Sequence, residues 1–200
     1  MSSIQTVRPG RHPVFSIHCG LAFGLALGWM GSAAAQEPAV SELATRSVYV
    51  QAGVAREDTQ AWIVGTTVPW KQWSAPWAGG ALRGHWDLYL GQWAADGATG
   101  RTHSTVLGAG AALQWRPAQG HSPWFIEAGT GLNYAKPRFI TATKEMGTRL
   151  NFASHLAVGY QHGAQQEHEW QLRIQHSSNG SLKKPNPGQN FLQLRYARHF

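Results

Sequence analysis

The sequence predicts an all-β protein, an eight-stranded antiparallel transmembrane β-barrel preceded by a cleaved signal peptide. Three observations predict it. The chain opens with a basic, then apolar, then small-residue segment of the kind that directs export. Beyond it, hydrophobicity alternates with period two in segments of about ten residues. Aromatic side chains gather near the ends of those segments, where residues of a membrane interface sit.

The leader comes first. Arg8 and Arg11 make its basic part, and the apolar run extends from about Val14 to Met30. Ala33-Ala34-Ala35 then places small residues at the −3 and −1 positions of a cut after Ala35. Residues 1–35 therefore read as a signal peptide and 36–200 as the barrel. The single cysteine, Cys19, falls inside the leader, and Ser16-Ile17-His18 before it does not make a lipoprotein box. The mature chain then has no disulfide and no cysteine metal site. No apolar run of eighteen follows Ala35, which excludes a helical span. An apolar fraction of 42% excludes a disordered chain, and glycines without a three-residue period exclude collagen. The chain is basic, with formal charge +7. In an exported protein that surplus points to lipid phosphate rather than nucleic acid, or to no more than a soluble charged surface.

Eight segments follow, at about 46–54, 60–70, 82–94, 102–115, 123–135, 149–162, 167–178 and 189–200. The first carries Tyr49 and the second ends on Trp70, both taken as girdle aromatics. In the third, Leu82, Gly84, Trp86, Leu88 and Leu90 oppose Arg83, His85, Asp87 and Tyr89, and Trp93 closes it. The fourth ends on Trp115. The fifth sets Trp124, Ile126, Ala128, Leu132 and Tyr134 against Glu127, Gly129, Gly131 and Asn133, with Phe125 out of pattern. The sixth sets Leu150, Phe152, Leu156, Val158 and Tyr160 against Asn151, Ala153, His155 and Gly159. The seventh runs Trp170, Leu172, Ile174 on one face and Gln171, Arg173, Gln175 on the other. The eighth alternates Leu192, Leu194, Tyr196 and finishes on Phe200, a terminal aromatic resembling the assembly signal of bacterial outer-membrane proteins. Turn-rich pieces separate segments at Ala94-Ala95-Asp96-Gly97, Pro117-Ala118-Gln119-Gly120 and Pro185-Asn186-Pro187-Gly188.

A soluble lipocalin-like barrel is the competing architecture, with its apolar face inward. Strand length, end aromatics and the terminal Phe200 favour the membrane barrel. An even strand number places both termini at the periplasm and turns the connections 55–59, 95–101, 136–148 and 179–188 outward. The last two carry Lys136, Arg138, Lys144, Lys183 and Lys184, a basic rim suited to lipopolysaccharide phosphates or to a solvated loop.

The seventh segment holds the chemistry. Counting by twos from Trp170, Leu172 and Ile174 reaches His176 and Ser178. An imidazole and a hydroxyl thus end a row that otherwise touches hydrocarbon, side by side as a base and a nucleophile would be. A strand that simply turns polar on leaving the bilayer reads the same way. The outward position favours chemistry on a lipid over chemistry on a soluble substrate.

His176-Ser177-Ser178-Asn179, followed by Leu182-Lys183-Lys184-Pro185-Asn186-Pro187-Gly188 and a last strand, resembles the PagL family of lipid A 3-O-deacylases. The resemblance implies an outer-membrane barrel that hydrolyses the 3-position acyl ester of lipid A and releases a 3-hydroxy fatty acid. It implies Ser178 as nucleophile and His176 as general base. It also implies an oxyanion site among Asn179, Gly180, Ser181 and Asn186, with Lys183 and Lys184 near substrate phosphate. The family's third member is an acid opening the last strand, and here the match falls on Asn190, with Gln189 before it. Asn190 shares the row of Leu192, Leu194 and Tyr196, so parity selects it as the residue that orients His176. No cofactor or metal is called for. Lipopolysaccharide is the expected substrate and the outer membrane the expected location; nucleic acid is not expected, and a homodimer is compatible. His85 and His155 read as interior polar residues, and His162 and His168 flank a periplasmic turn. The alternatives are another outer-membrane lipid hydrolase or acyltransferase, and a non-catalytic barrel.

Overall fold

The computed structural model describes residues 45–200, so the expected leader, 1–35, lies outside the described residues. Eight antiparallel strands close into a barrel in chain order: β1 (Ser47–Ala55), β2 (Thr59–Trp77), β3 (Gly80–Gly97), β4 (Gly100–Arg116), β5 (Trp124–Lys136), β6 (Leu150–His162), β7 (His168–Ser178) and β8 (Gln189–His199). β8 returns to β1, with Val54 opposite Leu192 and Ser47 opposite His199. Closure leaves no edge along the shared length.

Side chains alternate across the wall, and the sense of the alternation settles the architecture. On β7, Glu169, Gln171, Arg173, Gln175 and Ser177 are buried in the lumen, while Trp170, Leu172, Ile174 and His176 face out. Val64, Leu107, Leu156 and Leu192 are exposed on the outer wall. Apolar residues out and polar residues in is the arrangement for a hydrocarbon solvent, and it removes the lipocalin-like alternative.

The lumen is a packed polar core. Asp87 accepts hydrogen bonds from Tyr49 Oη at 2.6 Å and Arg195 Nη2 at 2.9 Å, with Arg173 at 3.8 Å. The Arg195 guanidinium lies 3.5 Å over the Tyr49 ring, and its Nε donates to Gln51. Glu127 sits 3.0 Å from His155 and 3.8 Å from His85, and accepts from Gln171. Both histidines are thus interior polar residues, as the alternation predicts. Buried charge is tolerated because each carboxylate meets several partners.

At the extracellular end the lumen turns apolar. Trp93 packs 5.4 Å from Phe139 and 4.9 Å from Phe191 (ring centroids), with Ala61, Val106 and Met146 around them. Phe139 and Met146 belong to the β5–β6 connection, which folds over the mouth as a strap. The strap is tied to three neighbours. Thr143 Oγ1 donates to Glu57 in the β1–β2 turn at 2.7 Å, Thr102 Oγ1 donates to Ile140 O at 2.7 Å, and Gly147 N–H donates to Pro185 O at 2.9 Å.

Three expectations change. β2 runs to Trp77 and β3 starts at Gly80, so the stretch after Trp70 is hairpin rather than connection. An irregularity between Pro69 and Ser74 hides the alternation there, and the chain reverses at Ala78-Gly79, both with positive φ. Ala94–Gly97 is strand rather than turn: Gly97 still pairs with Gly100, and Ala95 is drawn into the apolar mouth. Tyr49 and Trp93 leave the girdle for the lumen, at 4% and 0% exposure. Each lies on the inward parity of its strand, and nearness to a strand end does not override parity. Trp124, Tyr160 and Trp170, expected in the girdle, do face outward at the periplasmic end, and Trp86 and Tyr196 join them there. Phe125, out of pattern in sequence, points inward against Arg116, and Gly159 leaves room for its ring.

Candidate active site

β7 delivers His176 and Ser178 to the outer wall near its extracellular end, and β8 delivers Asn190. Pairing sets His176 opposite Asn190 and Ser178 opposite Phe152. The imidazole Nδ1 lies 2.6 Å from Asn190 Oδ1. A carboxamide oxygen only accepts, so Nδ1 carries the proton and Nε2 is left as a lone pair. The free edge of the ring passes over Gly188, where a Cβ would come within 2.8 Å of Cε1. Gly188 also has φ +64°, so glycine serves both backbone and ring. Gln189 points into the lumen, where its Nε2 reaches Thr59 Oγ1 at 3.4 Å. Ser178 Oγ makes no hydrogen bond to His176. The two side chains sit two residues apart on one outward face of β7.

The turn after Ser178 is built by its asparagines. Asn186 Oδ1 accepts the Asn179 backbone N–H at 3.0 Å, and Asn179 Nδ2 donates to Lys183 O at 2.7 Å. Leu182 N–H closes on Asn179 O at 3.1 Å around Gly180 and Ser181, both with positive φ. These bonds occupy the Asn179 N–H groups and the Asn186 Oδ1, while Asn186 Nδ2 donates to Ser181 Oγ at 3.4 Å. The backbone N–H groups of Gly180 and Ser181 have no partner among the described residues. Lys183 and Lys184 are exposed on the same loop and form no ion pair among the described residues.

Two neighbours were not legible in advance. Phe152 lies across from Ser178, and a Cβ on Gly180 would stand 3.1 Å from its ring, so the ring walls one side of the site. Gly147 of the strap abuts the loop from the other side: a Cβ there would collide with Pro185 O and come within 3.2 Å of Asn179 Nδ2. Phe152 was visible as a lipid-facing residue, but its place depends on register. Gly147 has no local signal at all.

Inside the wall, the residues between the site's members are fixed. Ser177 is fully buried and accepts from Asn133 Nδ2 at 2.6 Å, and Phe191 packs on Trp93. Outside the strands, hydrogen bonds from the Thr141 and Thr143 hydroxyls hold the Glu57 carboxyl below the usual carboxylate range, which keeps the strap anchored.

Comparison with known proteins now adds to the geometry. The family model described as lipid A 3-O-deacylase (PagL) matches residues 60–199. A lipid A deacylase PagL of Bordetella bronchiseptica (strain ATCC BAA-588 / NCTC 13252 / RB50) is 30% identical over 115 residues, 57% of this chain and 61% of that protein. The match thus spans under two thirds of that relative's length. The crystal structure of the outer membrane enzyme PagL superposes with a TM-score of 0.61 at 24% identity, over 77% of this chain and 99% of that one. That likeness bears on the fold.

Proposed function

The chain belongs to the PagL family of lipid A 3-O-deacylases, and from that membership we propose that it is an outer-membrane serine esterase. It hydrolyses the acyl ester at the 3-position of lipid A in the outer leaflet and releases a 3-hydroxy fatty acid. The observation that carries the reading is the 2.6 Å contact between His176 Nδ1 and Asn190 Oδ1, on the same hydrocarbon-facing surface as Ser178. The family description and the Bordetella relative's name support the substrate, and the outward site supports a lipid over any soluble ester. Export through the 1–35 leader accords with that location.

The chemistry follows from the groups present. Asn190 fixes the tautomer, so His176 Nε2 takes the Ser178 hydroxyl proton as Oγ bonds to the ester carbonyl carbon. The carbonyl oxygen becomes an oxyanion, and the unpaired N–H groups of Gly180 and Ser181 receive it. The bond from that carbon to the sugar oxygen breaks while Nε2 returns the proton to the sugar. Water then adds to the acyl-serine, gives its proton to Nε2, and the fatty acid leaves as Oγ recovers that proton. No step needs a cofactor. Asn179 and Asn186 shape the turn, and Lys183 and Lys184 extend from it as cations for the sugar's phosphate. Asn190 orients the imidazole but carries no charge to balance imidazolium.

Mass spectrometry of lipid A from Gram-negative cells tests the proposal. Cells expressing the wild type lose one 3-hydroxyacyl group, and cells expressing Ser178→Ala do not. Unchanged lipid A with folded wild-type protein in the outer membrane would overturn the proposal. Transfer of the acyl group to a second lipid instead of water would make the protein an acyltransferase.

A further inference from the structure

Two hydroxyls stand on the outer wall where hydrocarbon is expected. Thr130 on β5 and Ser154 on β6 are both exposed, and their oxygens are 2.9 Å apart. Register brings them in line with the site: Asn190 pairs with His176, His176 with Ser154, and Ser154 with Thr130. This row lies one outward position deeper along the strands than the row from Ser178 through Phe152. Thr66 on the same wall disposes of its proton differently: its Oγ1 donates to Ser47 O at 2.7 Å, onto backbone. Thr130 and Ser154 face each other instead. One of their two protons bridges the oxygens, and the other has no partner among the described residues. A hydroxyl proton left unsatisfied against lipid is costly, so the arrangement awaits a polar group.

We propose that Thr130 and Ser154 form a subsite that hydrogen-bonds the C3 hydroxyl of the acyl chain being released. The proposal rests on the deacylase reading and names what selects its acyl group. Ser154 is the diagonal neighbour of Ser178 across the β6–β7 pair, and such positions lie about 7–8 Å apart. With the ester carbon at Ser178 Oγ, C3 follows two bonds later, part-way down the wall toward the Ser154 row, and the C3 hydroxyl with one hydrogen bond spans the remaining distance. The substrate hydroxyl both donates and accepts, so it takes up the unpaired proton and completes the pair. The remaining methylenes lie on the apolar wall. An acyl chain without the hydroxyl leaves the pair unsatisfied, and the site discriminates against it.

The test uses the purified chain in detergent micelles and two synthetic probes. One is glucosamine esterified at O3 with 3-hydroxytetradecanoate, and the other carries tetradecanoate. We expect wild-type kcat/KM to favour the hydroxylated probe by about tenfold, the scale of one net hydrogen bond. Thr130→Val with Ser154→Ala brings the ratio close to one, and Ser154→Thr retains it. The ratio is taken on one preparation, so it does not depend on the amount folded. Should the double variant not fold, Ser154→Ala alone must lower the ratio. A wild type that treats the probes alike, or a variant that keeps the preference, overturns the subsite and leaves the deacylase standing. A wild type that opens neither probe brings down both.

Discussion

Asn190 concentrates what is particular to this chain at the scale of a residue. The resemblance expects an acid at this place, and a carboxamide stands there with its oxygen on the imidazole. Removing the oxygen frees the ring to take the wrong tautomer, so Asn190→Ala should lower kcat by roughly 10²-fold or more. Asn190→Glu supplies charge opposite the imidazolium that forms in the transition state, and kcat should rise by on the order of tenfold. Gln189→Ala should change kcat by less than about twofold, since its side chain serves the lumen. Steady-state hydrolysis of one acylated probe checks all three, and an Asn190→Ala enzyme as fast as wild type would remove the orienting role. Parity made the contact between Asn190 and His176 legible. The same rule applied to Trp93 and Tyr49 would have placed them inside, and reading them by distance from the strand end put them in the girdle. Ser154 and Thr130 escape a sequence reading for a related cause. An outward hydroxyl is unremarkable until register sets it beside a particular histidine.

The strap is the element that sequence patterning left blank. Its alternation is absent, and its contacts join residues far apart in the chain: Thr143 with Glu57, Gly147 with Pro185, Met146 and Phe139 with Trp93. Gly147→Val places a branched side chain against Pro185 O and Asn179 Nδ2, and backbone cannot yield cheaply there. The β7–β8 loop should shift, with kcat lost by about tenfold or more while the barrel keeps its heat-modifiable migration. Migration like wild type with unchanged kcat would show that the strap does not position the loop. The anchor at Glu57 gives a pH dependence. Its carboxyl is held below the ordinary range, so the ionised form is the anchored one. The contribution is present above the ordinary carboxylate pKa and is lost as pH falls through the lowered value. Trypsin cleavage after Lys144 should accelerate a few-fold in Glu57→Ala at neutral pH, the scale of an exposed contact. Equal cleavage in both proteins would place the anchor elsewhere.

Taken whole, the molecule is a protein turned inside out, and its stability is distributed accordingly. The hydrocarbon face needs little specificity, since any apolar side chain satisfies lipid; the lumen carries the discriminating contacts. Tyr49, Asp87, Arg173 and Arg195 come from β1, β3, β7 and β8, so one carboxylate stitches four strands across the interior, including the two that carry the site. Asp87→Ala leaves two guanidiniums facing each other without the charge between them. That should cost about 3–5 kcal/mol, the penalty of breaking a buried network by one partner. Leu172→Arg on the outer face of β7 should cost about 2–4 kcal/mol for a different reason, the placing of charge in hydrocarbon. Guanidinium unfolding in lipid vesicles measures both. The two losses separate in detergent, where an exposed arginine meets a more forgiving solvent and a buried one does not. The Leu172→Arg deficit should shrink in micelles and the Asp87→Ala deficit should persist. If the Asp87→Ala deficit vanished as well, the lumen would be hydrated enough to solvate Arg195 and Arg173, and the packed polar core described above would be wrong.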